Sequence, residues 1–170
     1  MDDQFWLDTS VFTQANRGGY AFDVNPGFWD WLESEIVAGT LRSTAIVYDE
    51  IVHPNPAERD DLAEWAIRMD AHGFFVIPSP EVISEFTPIA DHVHGSCDRA
   101  EADGFLSGAD PWIIAHAKCG NGIVVTQEKP VGADSKKVKI PNICTRFGVQ
   151  HIDTVELLRR RKVTFVRGKK

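Results

Sequence analysis

The apolar positions of this chain fall into two alternating kinds of segment. Short unbroken runs, Phe5-Trp6-Leu7, Phe74-Phe75-Val76-Ile77 and Ile123-Val124-Val125-Thr126, lie between turn-forming residues. Such runs predict strands buried on both faces. Leu41 to Ser43 predicts one more short strand, and Asp8-Thr9-Ser10 reads as the turn after the first.

Between these runs the apolar residues recur at helical intervals. Phe28, Trp31, Leu32 and Ile36 predict a helix opened by Asn25-Pro26 and closed by Gly39, because Asn caps a helix and Pro suits its first turn. Ile46, Val47 and Ile51 predict a second helix that carries Glu50, is capped by Ser43 or Thr44, and ends at His53-Pro54-Asn55-Pro56. A third spans about residues 57–72, with Leu62, Trp65, Ala66 and Met69 on one face and Gly73 as its stop. Residues 80–102 read as helical with a break near Pro88 and Gly95. Asp110-Pro111 pairs a capping residue with a first-turn proline and opens a helix that ends at Gly120. Asp153-Thr154-Val155-Glu156 resembles a capping box for a last helix ending in Arg159-Arg160-Arg161-Lys162, and Thr164-Phe165-Val166 predicts a small terminal strand.

Strands that alternate with helices predict a mostly parallel sheet covered on both faces. With no internal repeat or low-complexity linker, residues 1–160 are expected to form one domain, followed by a basic tail at 161–170. A chain of 170 residues with 43% hydrophobic and 25% charged residues is long enough to bury its own core. No apolar run approaches the ~20 residues of a membrane span. The acidic start Met1-Asp2-Asp3-Gln4 is unlike a signal peptide, which makes the cytoplasm the expected location. Cys97, Cys119 and Cys144 have no C-x-x-C spacing and suggest neither a disulfide framework nor a zinc ribbon.

Charge changes this picture more than composition does. The net charge of −7 hides 7 Lys/Arg against 23 Asp/Glu in residues 1–135, and 11 against 2 in residues 136–170. An acidic body beside a basic end can place metal-binding carboxylates next to a rim that attracts phosphate, although a terminal charge run also serves simply to solvate a helix.

Four acids then stand out. Asp8 follows the first strand and Glu128 follows the strand at 123–126; Asp110 lies at a predicted helix start and Glu50 one or two turns into another helix. In open α/β sheets sites form outside the carboxyl ends of the strands, so all four can approach one crevice. Crowded carboxylates repel unless a cation lies among them. Mg²⁺ or Mn²⁺ suits an all-oxygen set without histidine or cysteine. Taken singly, Asp110 reads as a helix cap and Glu50 as a solvated charge; only the combination points to a site.

Four segments carry a family resemblance. Leu7-Asp8-Thr9-Ser10-Val11-Phe12, Glu50-Ile51, Gly108-Ala109-Asp110-Pro111-Trp112-Ile113-Ile114-Ala115-His116-Ala117 and Val124-Val125-Thr126-Gln127-Glu128 resemble the signatures of PIN-domain nucleases. Phe28-Trp29-Asp30-Trp31-Leu32 and the stretch Lys136 to Cys144 are similar to a narrower bacterial and archaeal PIN-like group, the DUF4411 type. The resemblance implies a three-layer α/β/α PIN-like fold with a central, mostly parallel sheet of four to five strands. It also implies a metal-dependent ribonuclease, as in the toxins of toxin–antitoxin pairs, leaving 5′-phosphate and 3′-hydroxyl ends. Asp8, Glu50, Asp110 and Glu128 would hold one or two Mg²⁺ or Mn²⁺ ions, and the Ser10 and Thr126 hydroxyls would orient carboxylates or water. The fourth acid is usually Asp, so the longer Glu128 leaves direct or water-mediated binding open, with Asp134 as a substitute; Asp49 competes with Glu50, which the aliphatic Ile51 after it favours. RNA is the expected substrate, a cognate antitoxin the expected protein partner, and a homodimer stays open. Lys136, Lys137, Lys139, Arg159, Arg160, Arg161 and Lys162 are candidates for the RNA backbone.

Other chemistries fit less well. His92, His94 and Cys97 lack a fourth zinc ligand at suitable spacing. No G-x-S-x-G elbow supports a serine triad, and Ser10 stands where a haloacid-dehalogenase-type motif needs a second Asp. The rival from another class is a catalytically silent module that keeps the scaffold to bind RNA or protein.

Overall fold

A computed structural model describes residues 3–166; Met1, Asp2 and the last four residues of the expected basic tail lie outside the described residues. Five strands form one sheet: β1 (Phe5–Leu7), β2 (Leu41–Thr44), β3 (Phe75–Val76), β4 (Ile123–Val125) and β5 (Gln150–Ile152). Every neighbouring pair is parallel, and the order across the sheet is β3-β2-β1-β4-β5. All residues of β1 and β4 are buried, as their unbroken apolar sequences require. β2 is the exception in composition: Ser43 is fully buried, and its hydroxyl donates to the Leu7 carbonyl at 2.7 Å.

Helices flank this sheet in a three-layer α/β/α arrangement. They are α1 (Thr9–Arg17), α2 (Pro26–Val37), α3 (Ala45–Ile51), α4 (Asp61–Asp70), α5 (Pro80–Ser96), α6 (Arg99–Ser107), α7 (Asp110–Cys119), α8 (Ile140–Phe147) and α9 (Thr154–Arg160). The apolar α7 lies against β1, β2 and β4, with α5 packed over it. Among the described residues no helix is long and apolar enough to cross a membrane.

The chain departs from its sequence-based expectation at identifiable points. Asp8-Thr9-Ser10 is not a free turn but the start of α1, with Asp8 as its cap. Helix α5 runs through Pro88 without a break; Pro88 and Ser84 are both exposed, so the carbonyl that loses its donor faces water. The break expected near Gly95 is present, at Cys97-Asp98, and separates α6. The helix expected from residue 57 starts at Asp61, because the Asp60 carboxylate caps it by accepting from Ala63 N at 2.9 Å. Thr164-Phe165-Val166 forms no strand; Phe165 instead packs against Tyr20 and Phe28. The fifth strand is β5, whose Gln150 and His151 hide it from an apolar pattern because it lies at the sheet edge.

Trp65, with no solvent exposure, anchors the aromatic core between α4 and the sheet: it contacts Phe12, Trp29 and Phe74. Its Nε1 has no hydrogen-bond partner. Trp65→Ala is expected to cost about 3–5 kcal/mol in denaturant unfolding. Trp65→Phe, which removes the unpaired donor, should cost clearly less.

Candidate metal centre

The strand order reverses between β1 and β4, since β2 and β3 add on one side and β5 on the other. A crevice opens at the carboxyl ends there. Leu7 pairs with Val125, so the next residues, Asp8 and Thr126, emerge side by side. Asp8 N donates to Val125 O at 3.0 Å, which locks that register.

Asp8 is only 3% exposed. Three donors converge on its Oδ2: Ser10 Oγ at 2.5 Å, Thr126 Oγ1 at 2.9 Å and Ser10 N at 3.4 Å. Oδ1 is left without a protein donor among the described residues. Burial holds the Asp8 pKa above the usual carboxylate range; the Ser10 and Thr126 hydroxyls oppose that rise, and Glu128 adds to it. The two hydroxyls thus hold the carboxylate in place, and Gln127 N in turn donates to Ser10 Oγ at 3.0 Å.

Glu50 reaches the crevice from the second turn of α3. Its Oε1 accepts from Ala109 N at 2.8 Å and its Oε2 from the Thr9 hydroxyl. Gly108 makes room for it: a Cβ there would stand 3.1 Å from Glu50 Oε1. Asp110 is the first residue of α7, one position past its cap Ala109, so the helix-cap reading of this residue does not hold. Its pKa is pushed up to about 8, first by burial and then by Asp8, Glu128 and Glu50, against a smaller pull from Lys139. That mutual influence places all four acids in one electrostatic field.

Glu128 is held on both oxygens, by Lys139 Nζ at 2.5 Å and Ile140 N at 2.8 Å. Among the described residues no three His, Cys, Asp or Glu side chains stand close enough to hold a metal ion as they are. The acids are neighbours rather than a closed ligand set, because protein donors draw Glu50 and Glu128 aside. The donor set, all oxygen and with one Asp8 oxygen free, has the chemistry a hard dication takes, and the repulsion at Asp110 is relieved by a proton as well as by a cation.

Asp49 and Asp134 are not among the charges acting on Asp110, whereas Glu50, exposed like them, is. The cations expected to contact RNA separate into groups. Arg161 pairs with Glu35 of α2 at 2.9 Å, Arg160 with Glu156 at 3.2 Å, and Lys136 with Asp98 at 3.4 Å. Lys139 belongs to the acid cluster, while Lys137, Arg159 and Lys162 are exposed. The sequence reading missed the Thr9 hydroxyl, although it lies beside Asp8 on the same first turn. It also missed the Ala109 and Ile140 amides, which no side-chain pattern signals.

One family model covers nearly all of this framework: "Domain of unknown function (DUF4411)" matches residues 5–165. The chain belongs to the DUF4411 family. No curated protein matches it. In this DUF4411 protein the match begins at β1 and includes all four acids.

The proton affinity of Asp110 has a consequence for stability. Its folded pKa lies above the ordinary value of 3.8, so its contribution is present at low pH and is lost as pH rises toward 8. His116, held neutral by burial with a pKa of about 4, acts in the opposite sense up to its ordinary 6.5. Without divalent ions, Tm should therefore fall most clearly between about pH 6.5 and 8. The Tm advantage of Asp110→Asn over wild type should grow across that range; each kcal/mol is worth about 2–4 °C at this size. A constant difference between the two proteins would contradict the assignment.

Proposed function

We propose that this chain is a PIN-like, Mg²⁺- or Mn²⁺-dependent endoribonuclease acting as the toxin of a toxin–antitoxin pair. One observation carries the reading: at the switch point of a parallel sheet Asp8 is buried, Glu50 accepts from the Ala109 amide next to Asp110, and Asp110 and Glu128 line one cavity. Carboxylates gathered there at a cost to the empty protein are what a cation site requires. The resemblance of the same four positions to PIN nuclease signatures supplies the reaction class.

Asp8, Glu50, Asp110 and Glu128 would hold the ion, Glu50 and Glu128 by turning from the protein donors that now hold them. Once bound, the ion would supply Lewis acidity and an activated water. The residues around it do the positioning. Ser10 and Thr126 fix the rotamer of Asp8, and Thr9 with Ala109 N fixes Glu50. Hydrolysis adds a water oxygen to phosphorus and breaks the P–O3′ bond; the water gives up a proton and O3′ takes one. The ends are a 5′-phosphate and a 3′-hydroxyl.

Asp8→Asn and Asp110→Asn should each abolish Mn²⁺-dependent cleavage of RNA with the circular dichroism spectrum unchanged. Full activity in either variant would refute the reading. An absence of Mn²⁺ binding by the wild type would favour the silent module instead. For substrate binding, the double change Lys136→Ala and Lys137→Ala should weaken affinity for single-stranded RNA. The slope of log K against log salt should shrink by about 1.4, as expected when two phosphates are no longer neutralised. An unchanged slope would remove these lysines from the interface.

A further inference from the structure

The cavity that Asp110 and Glu128 share is built largely by α6. Ala100, Glu101 and Gly104 of that helix line it, together with Val138 and Lys139 from the segment leading into α8, and its volume is about 190 Å³. Two of these residues are not explained by packing. Gly104 stands in the interior of α6, where glycine weakens a helix relative to alanine, yet a Cβ there would meet nothing within 4 Å. Only an occupant of the cavity would feel that missing side chain. Glu101 is exposed, and among the described residues its carboxylate makes no hydrogen bond or ion pair; the neighbouring Arg99 pairs with Asp103 at 3.6 Å instead. Its place in the first turn of α6 suits the helix dipole but leaves both oxygens unpaired beside the cavity.

Carboxylates outnumber cations here: Glu101, Asp110 and Glu128 stand against Lys139, which Glu128 already holds. Such a cavity disfavours a phosphate and favours N–H donors. Ala100 and Gly104 lie one above the other on one helix face and offer a flat floor, while Val138 adds an apolar side chain. A planar, uncharged ring that carries N–H groups fits this description. We propose that the cavity receives the base next to the scissile phosphate and that Glu101 selects guanine there. This rests on the nuclease reading above and adds a specificity-determining residue to it. Guanine presents two adjacent donors on its Watson–Crick edge, N1–H and the N2 amino group, which the two oxygens of one carboxylate accept together. Adenine and cytosine set a ring-nitrogen acceptor beside their amino group, and the N3–H of uracil lies between two carbonyl oxygens. Each of those edges turns a lone pair toward Glu101.

The test is cleavage of RNA oligonucleotides that differ at one position, carrying guanosine, adenosine, cytidine, uridine or inosine; inosine keeps N1–H and lacks the N2 amino group. The wild type should cut beside guanosine with kcat/KM about 5–150-fold above the other three standard bases, and inosine should fall between. In Glu101→Ala the guanosine preference and the guanosine-to-inosine difference should both vanish, which loss of a helix-dipole contact alone would not produce. Gly104→Leu, which fills the cavity, should lose the preference too. Cleavage without base preference in the wild type, or with another base preferred, would overturn the proposal, as would an unchanged guanosine-to-inosine ratio in Glu101→Ala. If Glu101→Ala does not fold, the wild-type comparison of guanosine with inosine and the Gly104→Leu variant still decide. A wild type that cuts no RNA ends both this inference and the nuclease reading, whereas one that cuts beside every base alike ends this inference alone.

Discussion

The carboxylate of Asp8 sits where burial and charge are in conflict, and the surrounding structure is arranged around that conflict. Taking a carboxylate out of water costs several kcal/mol unless donors replace the lost solvent. The Ser10 and Thr126 hydroxyls and the Ser10 amide are those donors, and they come from different elements. Their convergence requires β1 and β4 to be neighbours, Leu7 to pair with Val125, and α1 to start at once after β1. A slip of one residue in that register would turn Thr126 to the opposite face and leave Asp8 buried with fewer partners. The geometry of the centre and the topology of the sheet are therefore one constraint.

Charge segregation along the chain has a structural use as well as a functional one. Among the described residues the basic C-terminal part does not stand off from the acidic body; several of its cations pair back onto it. Arg161 returns to Glu35 on α2, across more than a hundred residues, and Lys139 returns to Glu128 at the centre. The exposed pairs Lys136–Asp98 and Arg160–Glu156 contribute little to stability. The shielded ones, Arg161–Glu35 and Lys139–Glu128, hold α9 and the start of α8 in place. A net charge that reads as a single basic patch is thus divided between fastening the fold and offering Lys137, Arg159 and Lys162 to solvent.

Local signals were enough wherever one side of the chain's chemistry decided the outcome. Phe5 to Leu7 and Ile123 to Val125 announced central strands because both faces of a parallel strand are apolar. Gly39 and Gly73 announced helix ends, and both adopt positive φ, 79° and 68°. The failures share a cause too. Pro88 reads as a breaker, but its exposed position removes the penalty. Gln150 and His151 read as a loop because an edge strand can carry polar residues, and Phe165 reads as strand although no sheet edge receives it.

For the candidate centre the division is similar. The sequence by itself determined which carboxylates are available, that a parallel sheet would bring Asp8 and the residues after β4 to one edge, and that the C-terminal part is basic. Only the tertiary structure decided that Asp110 stands past the cap of its helix, that Glu50 bonds the Ala109 amide, and that Lys139 closes on Glu128. Residue type and local spacing set what a side chain can do, but desolvation and charge interactions depend on neighbours a hundred positions away, and those neighbours exist only once the strands have paired.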